Sequence, residues 1–316
     1  MNGLIDISKG ILLNCMGVKA NETLLVITDT DKFEIGQAMY EAGLEIGCES
    51  LLMSMRVRKV SGEEPPAAVA EAMLHADVIV CPTEESLTHT NAKIEAVKRG
   101  ARVGTMPGIT EQMFTQGAIT ADFKEVEKLT SIMTEKLSEA RTAKIEKDGC
   151  VMTFSLAGRN GVASPGVYKN PGESGNLPSG EAYIAPVESA TEGEMIIDGS
   201  MVGVGVLTDP LKVKVENGVL TELSGEGSEQ LDILFDKKEN GIVAELGIGT
   251  NKNALLCGDT LEDEKVYGTV HIAFGTNTSF GGVNKADCHM DGIILKPTLY
   301  LDDVLVIEEG KFVNYI

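Results

Sequence analysis

Between residues 22 and 107, short apolar runs alternate with segments of helical periodicity, and that order admits few architectures. ETLLVITD (22–29), ESLLMSM (49–55), DVIVCP (77–82) and ARVGTMP (101–107) are runs of strand length. KFEIGQAMYEAGLEIG (32–47), PPAAVAEAMLHA (65–76) and NAKIEAVKRG (91–100) separate them, with apolar residues at helical spacing. This alternation implies βαβ units and a parallel sheet with helices on both faces, a Rossmann-like α/β arrangement. An amphipathic helix is expected at the N-terminus, where Leu4, Ile7, Ile11 and Cys15 recur at helical spacing. A longer one is expected over 122–140, with Phe123, Val126, Met133, Leu137 and Ala140 on one face.

From about residue 148 the texture changes. Gly, Pro and Asn become frequent, and segments such as CVMTFSLAG, GEAYIAPVE, LKVKVENGVLTEL, GIVAELGIG and GTVHIAFG are short and β-like. ENGV (216–219) and EEGK (308–311) read as hairpin turns. The second half is therefore expected to be a β-rich, antiparallel, barrel-like domain. With 316 residues, more than one compact core usually takes, the expected division is an α/β domain over 1–145 and a β domain over 146–316.

The chain carries no GxGxxG after a strand and no phosphate-cradling GxxxxGK, and VGVGV (202–206) lacks the third glycine and the following helix of a nucleotide site. A formal charge of −21 repels phosphate backbones, so neither nucleic acid nor an anionic membrane surface is an expected partner. The same charge is compatible with cationic ligands, including divalent metals, but solubility is the plainer and favoured reading. No apolar run reaches membrane-spanning length. The N-terminus has no basic segment and is interrupted by Asp6 and Lys9, unlike a secretory signal. Six scattered cysteines form no CxxC pair; Cys15, Cys48 and Cys81 sit in apolar contexts, and a reducing cytoplasm is the expected home.

Only four histidines occur, and two of them, His271 and His289, lie within the β half. In the HMD of DCHMDGIILKP, His289 and Asp291 share one face of a strand because side chains alternate. If the GTVHIAFG strand (268–275) pairs with it, His271 comes near His289. Two imidazoles and a carboxylate form a divalent-metal face with open positions, whereas two hydrogen-bonded structural histidines are the bland alternative. Glu245 in AELGIGTN and Glu181 in LPSGEAYIAP interrupt segments of apolar or small residues, where a charge is costly unless paired. Glu264, in LEDEKVYGTVH, belongs to an acidic run of the kind that is usually solvated. His89 and Thr90, in TEESLTHTNAK, follow a strand's carboxyl end, where open α/β sheets bind ligands; Thr90 as a plain helix cap is the competing reading. His75 reads as a helix C-terminal residue.

PSGEAYIAP, AELGIGTN, DEKVYGTVHIAFG and HMD, in that order after an α/β half, resemble the aminopeptidase T type of metallo-aminopeptidase. The resemblance implies a metal-dependent hydrolase that removes N-terminal residues from peptides. Two zinc or cobalt ions would be held by Glu181, Glu245, Glu264, His271, His289 and Asp291. Glu181 and His89 are then the expected catalytic residues, the first accepting a proton and the second facing the metal. A homodimer in the cytoplasm, acting on a small peptide or other small molecule, is also implied. The sequence departs from the pattern in two places: TNTSFGG (276–282) lacks the family's tyrosine, and the segment between the two histidines is short. A second branch, typified by 2,5-dihydroxypyridine dioxygenase, resembles the same frame and uses one ferrous iron, for which His271, His289 and Asp291 would serve. A non-catalytic, metal-stabilised binding module is the third reading.

Overall fold

The computed structural model describes residues 2–313. The chain folds as two compact units: one runs up to Phe123 and takes back Gly166–Ser179, and the other holds Lys124–Pro165 and everything from Gly180 onward.

In the first unit the four expected strands form at Thr23–Asp29, Glu49–Met55, Val78–Thr83 and Arg102–Pro107, all parallel. The Thr23 strand lies between the Glu49 and Val78 strands, so it and the Val78 strand are buried along nearly their whole length, while the Glu49 strand at the edge is partly exposed. Leu25, Ile27, Ile79, Cys81 and Val103 pack in one cluster with Val69 and Met73 of helix Ala67–Met73 and with Ala92 and Ala96 of helix Asn91–Lys98. A fifth strand, Ser174–Asn176, joins the edge beside Arg102–Pro107. Its three small polar residues carry no hydrophobic signal that sequence could show. Cys15 and Cys81 are buried, and burial pushes both thiols up to about 12, in keeping with small core residues.

The second unit is antiparallel, as expected, and its strands form sheets of eight and seven. One core joins them: Ile145, Met152, Phe154, Met195 and Val213 from the larger sheet meet Ile184, Leu246, Ile248, Ile272, Phe274 and Ile294 from the smaller. Both expected hairpin turns form, with Asn217, Gly218, Glu309 and Gly310 all in the left-handed region that such turns require.

The expected boundary at 145–146 falls inside the second unit, within the strand Thr142–Lys147, which pairs antiparallel with Cys150–Ser155. The break lies instead at the start of helix Phe123–Glu139, because Leu129, Met133 and Leu137 pack into the β core. Among the described residues, no helix is long and apolar enough to cross a membrane.

Leu137 is fully buried in that core, so Leu137→Ala should cost about 2–5 kcal/mol in urea titrations. Hydrogen exchange should then quicken in the strands of the second unit and stay unchanged in Thr23–Asp29. The reverse pattern would place the helix with the first unit.

Candidate metal centre

Four strands of the seven-stranded sheet carry the chemistry: Glu181–Ile184, Val243–Gly249, Val270–Gly275 and His289–Ile294. They run antiparallel in that order, with Gly249 opposite Glu181, Gly247 opposite both Tyr183 and His271, Ala273 between Glu245 and Asp291, and Gly275 opposite His289. Residues opposite one another share a face, and so do residues two apart on a strand. One face therefore presents Glu181, Tyr183, Glu245, His271, Asp291 and His289, interspersed with Gly and Ala. The other face, with Ala182, Ile184, Leu246, Ile248, Ile272, Phe274 and Ile294, belongs to the hydrophobic core. Strand alternation alone thus places a polar floor directly on top of an apolar one.

The two histidine strands do pair, but His271 stands opposite Ile293, four rungs from the Gly275–His289 pair. Glu245 spans the gap: its Oε1 lies 3.4 Å from His271 Nε2 and its Oε2 lies 3.4 Å from His289 Nε2. His271 Nε2 is also 3.4 Å from Glu181 Oε2, and His289 Nε2 is 3.6 Å from Asp291 Oδ1. Among the described residues, two groups have metal-ligand geometry: Glu181, Glu245 and His271, and Glu245, His289 and Asp291. Five of the six expected ligands come together in this way. Glu264 is in neither group, and its carboxylate contacts the ammonium of Lys265 instead. His89 lies in the first unit on the turn before helix Asn91–Lys98, also in neither group, and Thr90 beside it caps that helix through Lys93 N–H.

The donor set fits a divalent cation. His289 Nδ1 donates to the Thr276 carbonyl at 2.8 Å, which turns its Nε2 toward Glu245 and Asp291. Asp291 Oδ1 is buried with no hydrogen-bond donor, a costly arrangement for an acceptor unless a cation serves it. Separations of 3.4–3.6 Å exceed those of charge-assisted hydrogen bonds. Two donors each about 2.1 Å from one ion at a tetrahedral angle are themselves about 3.4 Å apart. Imidazole nitrogen with carboxylate oxygen suits zinc, cobalt, manganese or ferrous iron.

Three residues of the site escaped the sequence reading. Lys265 is completely buried, with its Nζ 3.0 Å from Glu181 Oε1 and in contact with Glu264. Burial works against its charge, yet the two carboxylates hold the ammonium protonated well above lysine's usual range. Phe280 stands edge-on to both Tyr183 (centroids 5.4 Å) and His289 (5.9 Å). The expectation that the LEDE run is solvated also fails, because Glu262 and Asp263 are buried. Asp263 accepts from Ser200 Oγ and from the N–H groups of Cys257 and Gly258, so this run is a buried hydrogen-bonding turn.

Burial opposes charge on both imidazoles, but the facing carboxylates outweigh it. Glu181 and Glu245 hold His271 up at about 10, and Asp291 and Glu245 hold His289 well above histidine's usual value. Raised histidines stabilise the fold fully below the unfolded value of 6.5 and lose that contribution as pH climbs through about 10. Chelator-stripped protein should therefore melt at falling temperatures from pH 6.5 to 10, and added divalent ion should oppose the fall by binding the deprotonated rings. A flat profile in the stripped protein would mean neutral rings. Gly247 offers a second test: a Cβ there would lie 1.9 Å from His271 Nε2. Gly247→Ala should weaken metal binding by about tenfold or more with an unchanged far-UV spectrum, and unaltered affinity would remove His271 from the site.

Comparison with known proteins gives the same frame. The family model for NicX, 2,5-dihydroxypyridine 5,6-dioxygenase, matches residues 4–314. A curated 2,5-dihydroxypyridine 5,6-dioxygenase of Pseudomonas putida KT2440 is 27% identical over 199 residues, 56% of this chain and 55% of that protein. The chain thus aligns with little more than half the length of that relative. The solved structure of 2,5-dihydroxypyridine dioxygenase from Pseudomonas putida KT2440 superposes with a TM-score of 0.85 at 19% identity, covering 98% of this chain and 97% of that one. AmpT from Thermus thermophilus superposes at 0.71 with 16% identity over 99% of both chains. These two likenesses show the fold. A match over nearly the whole length shows the family: the chain belongs to the NicX, 2,5-dihydroxypyridine 5,6-dioxygenase, family.

Proposed function

We propose that this chain is a single-metal, ferrous-iron oxygenase that opens a hydroxylated heteroaromatic ring. The observation that carries this reading is the aromatic wall beside the second metal-ligand group. Phe280 lies edge-on to His289, and Tyr183 lies edge-on to Phe280, so flat apolar surface adjoins Glu245, His289 and Asp291. A planar ring packs well against such a wall, through offset or edge contacts. Membership in a family named for a dihydroxypyridine dioxygenase supports the same substrate class.

His289, Asp291 and Glu245 would hold the ion, and His271 reaches the same Glu245 from the other side. A ferrous ion there would supply the one-electron chemistry that lets dioxygen react with a closed-shell ring. The protein's own part is positioning. Thr276 fixes the His289 ring through its carbonyl. The loop carrying Phe280 is pinned by Glu188, which accepts from Val283 N–H and Asn277 Nδ2 and pairs with Arg159. Glu181 stays ionised: burial works against its charge, but Lys265 and His271 hold the carboxyl below its usual value. Its unbonded Oε2 is then an acceptor for the hydrogen of a ring hydroxyl.

A two-ion aminopeptidase chemistry is the second reading, favoured by one observation: Glu245 is shared between both groups, as a bridging carboxylate would be. One experiment separates them. Protein loaded anaerobically with Fe2+ should consume oxygen in proportion to added 2,5-dihydroxypyridine, and zinc- or cobalt-loaded protein should release no amino acid from N-terminal leucine peptides. Peptide hydrolysis without substrate-dependent oxygen uptake would reverse the assignment.

A further inference from the structure

Of the two ligand groups, one already contains a cation. Lys265 has no exposed surface, and its ammonium is held by Glu181 Oε1 at 3.0 Å and by Glu264. A buried ammonium is tolerated only when its charge is matched, so Glu181 and Glu264 are bound to Lys265 as firmly as Lys265 is to them. An ion in the group formed by Glu181, Glu245 and His271 would have to share the Glu181 carboxylate with that ammonium, with two positive centres on one small anion. In the other group, Glu245 and Asp291 pair with imidazoles and, among the described residues, form no ion pair with a lysine or arginine, and their two negative charges match one divalent ion. We infer that Lys265 stands in for a second metal ion: it withdraws Glu181 from metal ligation and restricts the centre to one divalent cation. This inference rests on the single-ion reading above and names the residue that enforces it.

The assignment makes Lys265 a positioning residue, so its test is a metal count rather than a rate. Mn2+ binding is measured by equilibrium dialysis with elemental analysis on the full chain. Wild type should saturate at one ion, Lys265→Met at two, and the double variant Lys265→Met/Glu181→Gln at one again. Glu181→Gln alone, nearly isosteric and leaving Glu264 as the carboxylate partner of Lys265, should keep one ion with a Kd within about threefold of wild type. Glu245→Gln should lose about tenfold or more, the scale of ligand-shell disruption. Two ions in wild type, one ion in a folded Lys265→Met, or a tenfold weaker Kd in Glu181→Gln would each overturn the inference. If Lys265→Met does not fold by circular dichroism, the Glu181→Gln affinity decides alone. A wild-type chain that binds one Mn2+ yet consumes no oxygen as the ferrous form would sink the oxygenase reading and leave the role of Lys265 standing.

Discussion

The second unit is organised around a problem of charge. Glu181, Glu245 and Asp291 are nearly inaccessible to water on the face of a sheet whose reverse side is packed hydrocarbon. Isolated carboxylates in such a place are prohibitive, so the fold must bring cations or donors to them. It does so in two ways. Lys265 supplies a permanent positive charge to Glu181 and Glu264, and two imidazoles face the remaining oxygens at separations that suit a shared proton or an ion. The raised His271 and His289 are the electrostatic signature of that excess negative charge.

A β-sheet is well suited to hold such a cluster. Alternation sends every second side chain into the core, so the strands bearing the ligands are anchored by Ile184, Leu246, Ile272, Phe274 and Ile294 from beneath. Small residues at 247, 249, 273 and 275 keep the upper face low between the ligands, and at Gly247 the His271 ring occupies the space a Cβ would need. The loop between the histidine strands is short, and its polar groups are tied inward: Asn284 bonds the Gly275 and Glu239 carbonyls, and Glu188 gathers Val283 and Asn277. That tethering holds the Phe280 ring edge-on to His289, in the loop that lacks the tyrosine of the aminopeptidase pattern.

One scaffold supports both the oxygenase and the aminopeptidase seen among its structural relatives. Fold therefore settles little about chemistry here, and the cations within the site settle more. A carboxylate shared by two groups is a natural bridge between two metals. With Glu181 already paired to a buried ammonium, Glu245 is left as a ligand of one ion on the inference above.

Much of this was legible in the chain itself. Alternating apolar runs determined the parallel sheet, because strand and helix periods are local properties, and the N-G and E-G turns fell where hairpins formed. HMD with a second histidine strand pointed to the site, since i and i+2 must share a face. Other features needed the tertiary fold. Helix 123–139 belongs to the β unit only because its apolar stripe meets that core, and residues 174–176 become a strand only by adding to an edge. Lys265 drew no notice beside an acidic run expected to be solvated, because burial is not written in a residue's neighbours along the chain. Its partner, Glu181, lies 84 positions away, and only folding brings the two charges together where water cannot separate them.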